Sequence, residues 1–170
     1  MTTVLEPVIT PVEEPVLPVL SDIPRMDPEV REGWAADMER RGVEGQCYDQ
    51  LADGDGQVCA LGSLSEWLYT NRPAVCAAAG WIYDPDFGKW LRVGSYMDVP
   101  EVDWDPREND DEIETALPVA VCNAIGLHSD GPQGFEGEAT LLPTQENVIR
   151  WNDSEHLTFA TIARRVRDWF

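Results

Sequence analysis

Asp53-Gly54-Asp55-Gly56-Gln57-Val58-Cys59-Ala60-Leu61-Gly62-Ser63-Leu64 is the stretch whose reading decides the fold. Its two aspartates and two glycines predict a tight acidic turn, with a glycine taking the positive φ that other residues resist. The turn runs directly into an apolar segment. Leu61, Leu64 and Leu68 recur at i, i+3 and i+7, one face of a 3.6-residue period, with Trp67 beside them. That period predicts a buried helix over about 57–70. Gly62 falls inside it, where glycine costs about 1 kcal/mol relative to alanine. A glycine at such a place predicts another backbone passing too close for a Cβ. Turn and helix together are expected to form the centre of the core.

Working outward, Asp27-Pro28-Glu29 is a strong helix start: a capping aspartate, a proline at the first position, and an acid at the positive helix end. Val30, Trp34 and Met38 form one stripe, Arg40 and Arg41 suit the negative end, and Gly42 stops a helix over 28–41. Residues 43–52 are expected to make a short helix or turn, and 73–80 a short packed helix after Asn71-Arg72-Pro73. Trp90-Leu91-Arg92-Val93 and Ser95-Tyr96-Met97 are expected to pair as a small hairpin. A further helix over 111–126 would align Ile113, Leu117, Val121 and Ile125, with Pro118 bending or delaying it. Residues 128–140 are a Gly-rich loop. Pro143–Trp151 resembles a short helix, and Thr158 can cap a last one carrying Phe159, Ile162, Val166 and Trp169 on one face.

The 170 residues, 43% apolar with seven tryptophans, suffice for one domain with a real core. The 32 acids outnumber 12 basic residues, giving a formal charge of −20. Such a field repels phosphates and anionic membrane, so direct nucleic-acid or membrane binding is not expected, and basic protein partners are favoured. No apolar run approaches the roughly 20 residues of a membrane span. The N-terminus lacks a positive leader region and is interrupted by prolines, unlike a signal peptide. Cys47, Cys59, Cys76 and Cys122 are too unevenly spaced for a zinc site and read as buried, reduced thiols.

Two segments stand apart. In residues 1–24, Val8, Ile9, Val12, Val16, Leu17 and Val19 lie among prolines that exclude helix and favour an extended path. An inert linker would be poor in such residues; an apolar extended arm is expected to have a docking place. Residues 101–114 hold eight acids, among them Glu101, Asp103, Asp105, Asp110 and Asp111, against Arg107 alone. They form either a solvated loop or an anionic face for a basic surface.

Candidate chemistry is sparse. With Asp49 at position 1 of a calcium loop, Asp53 and Gly54 fit, but Leu51 and Ala60 occupy ligand positions, so no metal is expected. Cys59, at a helix start, is the weak nucleophile candidate, with His128 or His156 and Asn152 or Asp153 as partners. No phosphate loop, dinucleotide fingerprint or HExxH is present, and no cofactor is expected. In Trp151-Asn152-Asp153 the indole is expected to anchor in the core, while the polar pair bonds exposed backbone between two helices.

Asp55-Gly56-x-x-Cys59-Ala60-Leu61-Gly62-Ser63-Leu64 together with Trp151-Asn152-Asp153, Thr158 and a final amphipathic helix resembles an uncharacterised family of small proteins from actinobacteria and their phages. Gln46-Cys47 also resembles a family position. Ser63 departs from the family's usual Cys-Ala-Leu-Gly-Ala. The resemblance covers the first helix, the central stretch and the C-terminus; the arm and the acidic 84–114 region look like additions. It implies a shared fold and an actinophage or host origin, and it transfers no catalytic residue. The expectation is therefore a mainly α fold, with a small α+β fold as the variant. A single compact helical domain over 25–170 carries a minor β-hairpin and is preceded by an extended N-terminal arm over 1–24. Its expected role is a non-catalytic interaction module, in the host cytoplasm or a virion. Its arm meets a protein partner or a second copy of itself; an acidic nucleic-acid mimic and a Cys59 enzyme are the alternatives.

Overall fold

Helix α1 (Pro28–Arg41) packs along α6 (Phe159–Trp169), the last helix of the chain, and also against the central helix α2 (Ala60–Asn71). The computed structural model describes residues 25–93, 112–128 and 144–170. Between α2 and α6 follow α3 (Pro73–Ala78), β1 (Trp81–Asp84), β2 (Lys89–Arg92), β3 (Glu112–Ile113), α4 (Val119–Ile125) and α5 (Gln145–Ile149). The fold is mainly α with one small antiparallel sheet in the order β1-β2-β3. Among the described residues no helix is long and apolar enough to cross a membrane.

α1 begins and ends where its sequence directs. Asp27 Oδ1 accepts the Glu29 N–H at 2.8 Å and the Val30 N–H at 3.3 Å, and Gly42 leaves the helix at φ 64°. Val30, Trp34 and Met38 are buried on one stripe. Arg167 of α6 reaches across to both Glu32 and Glu39. The Met26 N–H donates to Phe170 O at 3.2 Å, tying the segment before α1 to the residue after α6.

Gly33 permits α1 to meet α2. A Cβ there would lie 2.2 Å from the Trp67 indole, so the ring occupies the space a side chain would take. Beside this contact Asp37 accepts from Arg40, from Arg41 Nε at 2.6 Å and from Ser63 Oγ at 2.7 Å, while Arg41 also pairs with Glu66. Burial opposes the Asp37 charge, but these donors outweigh it and hold its pKa below the usual value.

The hairpin departs from its expected pairing. β2 includes Trp90 to Arg92, but its partner is β1: Tyr83 faces Trp90 and Ile82 faces Leu91. The turn lies at Pro85–Gly88, with Asp84 Oδ1 accepting the Asp86 N–H and Gly88 at φ 62°. Proline and a positive-φ glycine there outcompete pairing with Ser95–Met97, a segment outside the described residues. Trp90, within the acidic region, is fully buried and donates to Ser65 Oγ at 3.0 Å.

The expected helix over 111–126 is also corrected. Glu112 and Ile113 form β3 on the edge of β2, and the helix spans only Val119–Ile125. Pro118 occupies its N-cap, because the residues before a proline disfavour helix and proline itself offers no N–H. Gly126 ends it at φ 74°. The central helix likewise starts at Ala60 rather than about 57, because Val58 is used in extended bridges to Gln46 and Ala52.

Candidate functional site

The turn quoted at the outset is built by Asp53, whose Oδ1 accepts the N–H groups of Asp55 at 2.9 Å and Gln57 at 2.8 Å. Gly56, not Gly54, carries the positive φ, 82°. The chain then returns alongside itself. Cys47 N–H donates to Val58 O at 2.9 Å, and Cys59 N–H to Leu51 O at 3.1 Å. That places the Leu51 carbonyl over α2, and a Cβ on Gly62 would lie 1.7 Å from its oxygen. The expectation of a close backbone at Gly62 is met.

On the other side, α5 ends in a π turn over Arg150–Ser154. Widening of the helix by one residue lets two consecutive residues, Trp151 and Asn152, both point inward. The Trp151 ring packs 5.6 Å from that of Phe170, centroid to centroid. Asn152 Oδ1 accepts from Ala60 N–H at 3.3 Å and Gln46 Nε2 at 3.0 Å. Its Nδ2 donates to Cys47 O at 2.9 Å and to Asp153 Oδ1 at 2.6 Å. Gln46 Nε2 donates also to Leu157 O at 2.8 Å, and its Oε1 accepts the Phe159 N–H at 3.1 Å. Two buried amides thus tie the start of α2, the strand-like segment before it, the π turn and the first residue of α6. Every N–H of both amides has a partner.

Cys59, Gly62, Trp151, Asn152 and Asp153 lie at or beside this node, and Gly56 shapes the turn that leads into it. The other expected contact residues, Val8 to Val19 and Glu101 to Asp111, lie outside the described part. Sequence periodicity missed Gln46, whose partners are over a hundred residues away; only its place beside Cys47 in the family resemblance marked it. Where the node meets solvent, the Asp49 N–H donates to Asp153 Oδ1 at 3.2 Å and Tyr48 packs edge-on against His156. Asp49 and His156 both adopt positive φ, 65° and 49°.

Cys59 caps α2, its Sγ accepting the Gly62 N–H at 3.3 Å. Burial pushes its thiol up to about 12, and pushes Cys47 and Cys76 up to about 11. A nucleophilic cysteine needs the opposite, a lowered pKa and access. Neither His128 nor His156 hydrogen-bonds it. His128 pairs through the backbone with Thr144, and His156 is occupied by Tyr48. Among the described residues no group of three or more His, Cys, Asp or Glu could hold a metal ion. The arrangement holds segments together and keeps the Cys59 thiol out of solvent. No family model, curated protein sequence or solved structure matches this chain.

Proposed function

We propose that the chain is a non-catalytic, acidic protein-interaction domain of phage type, whose N-terminal segment docks on a neighbouring subunit. That subunit is a second copy or part of a larger assembly such as a virion. The observation that carries this reading is the sequence of residues 1–24, where Val8, Ile9, Val12, Val16, Leu17 and Val19 are set among helix-excluding prolines. Apolar area left in water costs about 25 cal/mol per Å², and a proline-restricted chain loses less freedom on docking than a flexible one. The folded part supports the reading. Its convergent polar side chains are spent on one another, and its thiols are buried. A charge of −20 disfavours nucleic acid and membrane surfaces and favours a basic protein. Free thiols suit the host cytoplasm or a virion assembled there.

Light scattering and pull-down of the full chain against a form lacking residues 2–24 test the proposal. The shortened form is expected to fold and to lose association. Retained association would refute it. The eight acids of residues 101–114 favour a second reading, mimicry of a nucleic acid toward a basic host protein. Duplex DNA presents one charge per roughly 1.7 Å, and a contact of that kind weakens steeply with salt. An apolar contact through the N-terminal segment persists. Complexes lost at 1 M salt and sensitive to Glu101→Lys with Asp103→Lys would favour mimicry.

A further inference from the structure

We propose, resting on the reading above, that the outer face of the β1–β2 hairpin receives residues 8–19 of a second copy of this chain. The two faces of the hairpin are unlike what an antiparallel sheet on a core usually shows, apolar inside and polar outside. Inside, Tyr83 and Trp90 are 1% and 0% exposed. Outside, Ile82 is 48% exposed beside its cross-strand partner Leu91. Val93, immediately after β2, is 51% exposed, and Phe87 stands out of the turn at 72%. Gly80 accepts the Val93 N–H at 2.8 Å and adds no side chain opposite it. The ion pair Lys89–Glu112, at 2.7 Å, forms a charged rim. Apolar patches with polar rims mark docking surfaces.

The occupant follows from what the same chain carries. Residues 8–19, outside the described residues, carry six apolar side chains against two charges, Glu13 and Glu14. Two chains of charge −20 repel when brought together, and a patch of four side chains falls short of the roughly 1,000 Å² that a specific interface needs. An extended segment of this length spans up to about 40 Å, so it links the copies while their acidic bodies stay apart. Exchange about a two-fold axis makes each contact twice.

The test uses the full chain with a photoreactive residue at position 93, in an equal mixture of isotope-labelled and unlabelled protein. Expected are crosslinks from position 93 to residues 8–19, with mixed-isotope pairs among them. Ile82→Lys and, independently, Phe87→Ser should each weaken self-association about tenfold; both positions are solvent-facing, so either tests the contact if the other misfolds. Crosslinks within one isotope alone would show the segment folding back on its own hairpin and overturn the inference. Both substitutions associating normally while loss of residues 2–24 abolishes association would overturn it and leave the proposed function standing. Association that survives loss of residues 2–24 would overturn both.

Discussion

Gly62→Ala isolates the packing at the centre of the fold. The added Cβ would lie 1.7 Å from Leu51 O and 2.7 Å from Leu51 C, with Val58 Cβ at 3.1 Å. A carbon and a carbonyl oxygen sit at about 3.3 Å or more when relaxed, so helix and loop must part by roughly 1.5 Å. The neighbour is backbone and cannot rotate away. It is also held: the Leu51 carbonyl accepts the Cys59 N–H at 3.1 Å, and the Leu51 N–H donates to Glu114 O at 3.0 Å. Alanine gains about 1 kcal/mol in helix propensity. Against that stand about 1–3 kcal/mol of overpacking and about 1–3 kcal/mol if the buried Cys59 N–H loses its acceptor. The net expectation is destabilisation of about 2–4 kcal/mol, a fall in Tm of about 5–15 °C for a chain of this size. Urea and thermal unfolding followed by circular dichroism measure it. Gly54→Ala, where a Cβ meets nothing within 4 Å, is the control and should stay within about 0.5 kcal/mol. A Gly62→Ala protein as stable as the parent would refute the close approach of Leu51 to α2.

Asn152→Ala should cost about 2–5 kcal/mol, since it strands the buried Ala60 N–H and Cys47 carbonyl; Asn152→Asp, nearly isosteric, should also destabilise, more at pH 7 than at pH 4. An unchanged urea midpoint for both would show that the node does not hold the fold together. The thiols of Cys47, Cys59 and Cys76 have folded pKa values raised above the ordinary 9.0, so unfolding releases their protons. Their contribution is intact below about pH 9 and is lost as pH climbs toward 11–12, at up to about 1.4 kcal/mol per pH unit per thiol; Cys59→Ala should flatten that slope. Alkylation of Cys59 should track global unfolding, and modification of the native protein at the rate of a free thiol would contradict its burial. Asp37 has a lowered folded pKa, so its contribution is present above about pH 4 and fades as pH falls through the folded value. Asp37→Asn should cost about 1–3 kcal/mol at pH 7 and little at pH 2; an equal effect at both would show the charge to be irrelevant.

How far the sequence disclosed this fold depended on whether the signal was local. Asp27-Pro28 and Gly42 bracket α1 to the residue, because capping acts within one turn. Gly62 announced a close neighbour by being unfavourable in a helix, though nothing local named Leu51. Strand pairing failed where Trp90–Val93 had apolar stretches on both sides; the decisive cue was the proline and glycine of the 85–88 turn. Ile113 fell on the helical period of Val121 and Ile125 yet sits in β3, because Pro118 interrupts the backbone between them. The π turn has no periodic signature, and Gln46 pairs with Asn152 across 106 positions, a contact that only the folded chain reveals. Residues 1–24 are read from composition alone, Val8 to Val19 set among prolines.

The proposed docking holds residues 8–19 against a protein surface. Backbone relaxation of the ¹⁵N-labelled full chain reads this directly. Order parameters for residues 8–19 are expected near those of the folded domain, about 0.85, at 0.1 M and at 1 M salt, falling on Ile82→Lys. Values below about 0.6 with sharp lines, at concentrations where the protein self-associates or is bound to its assembly, would contradict it.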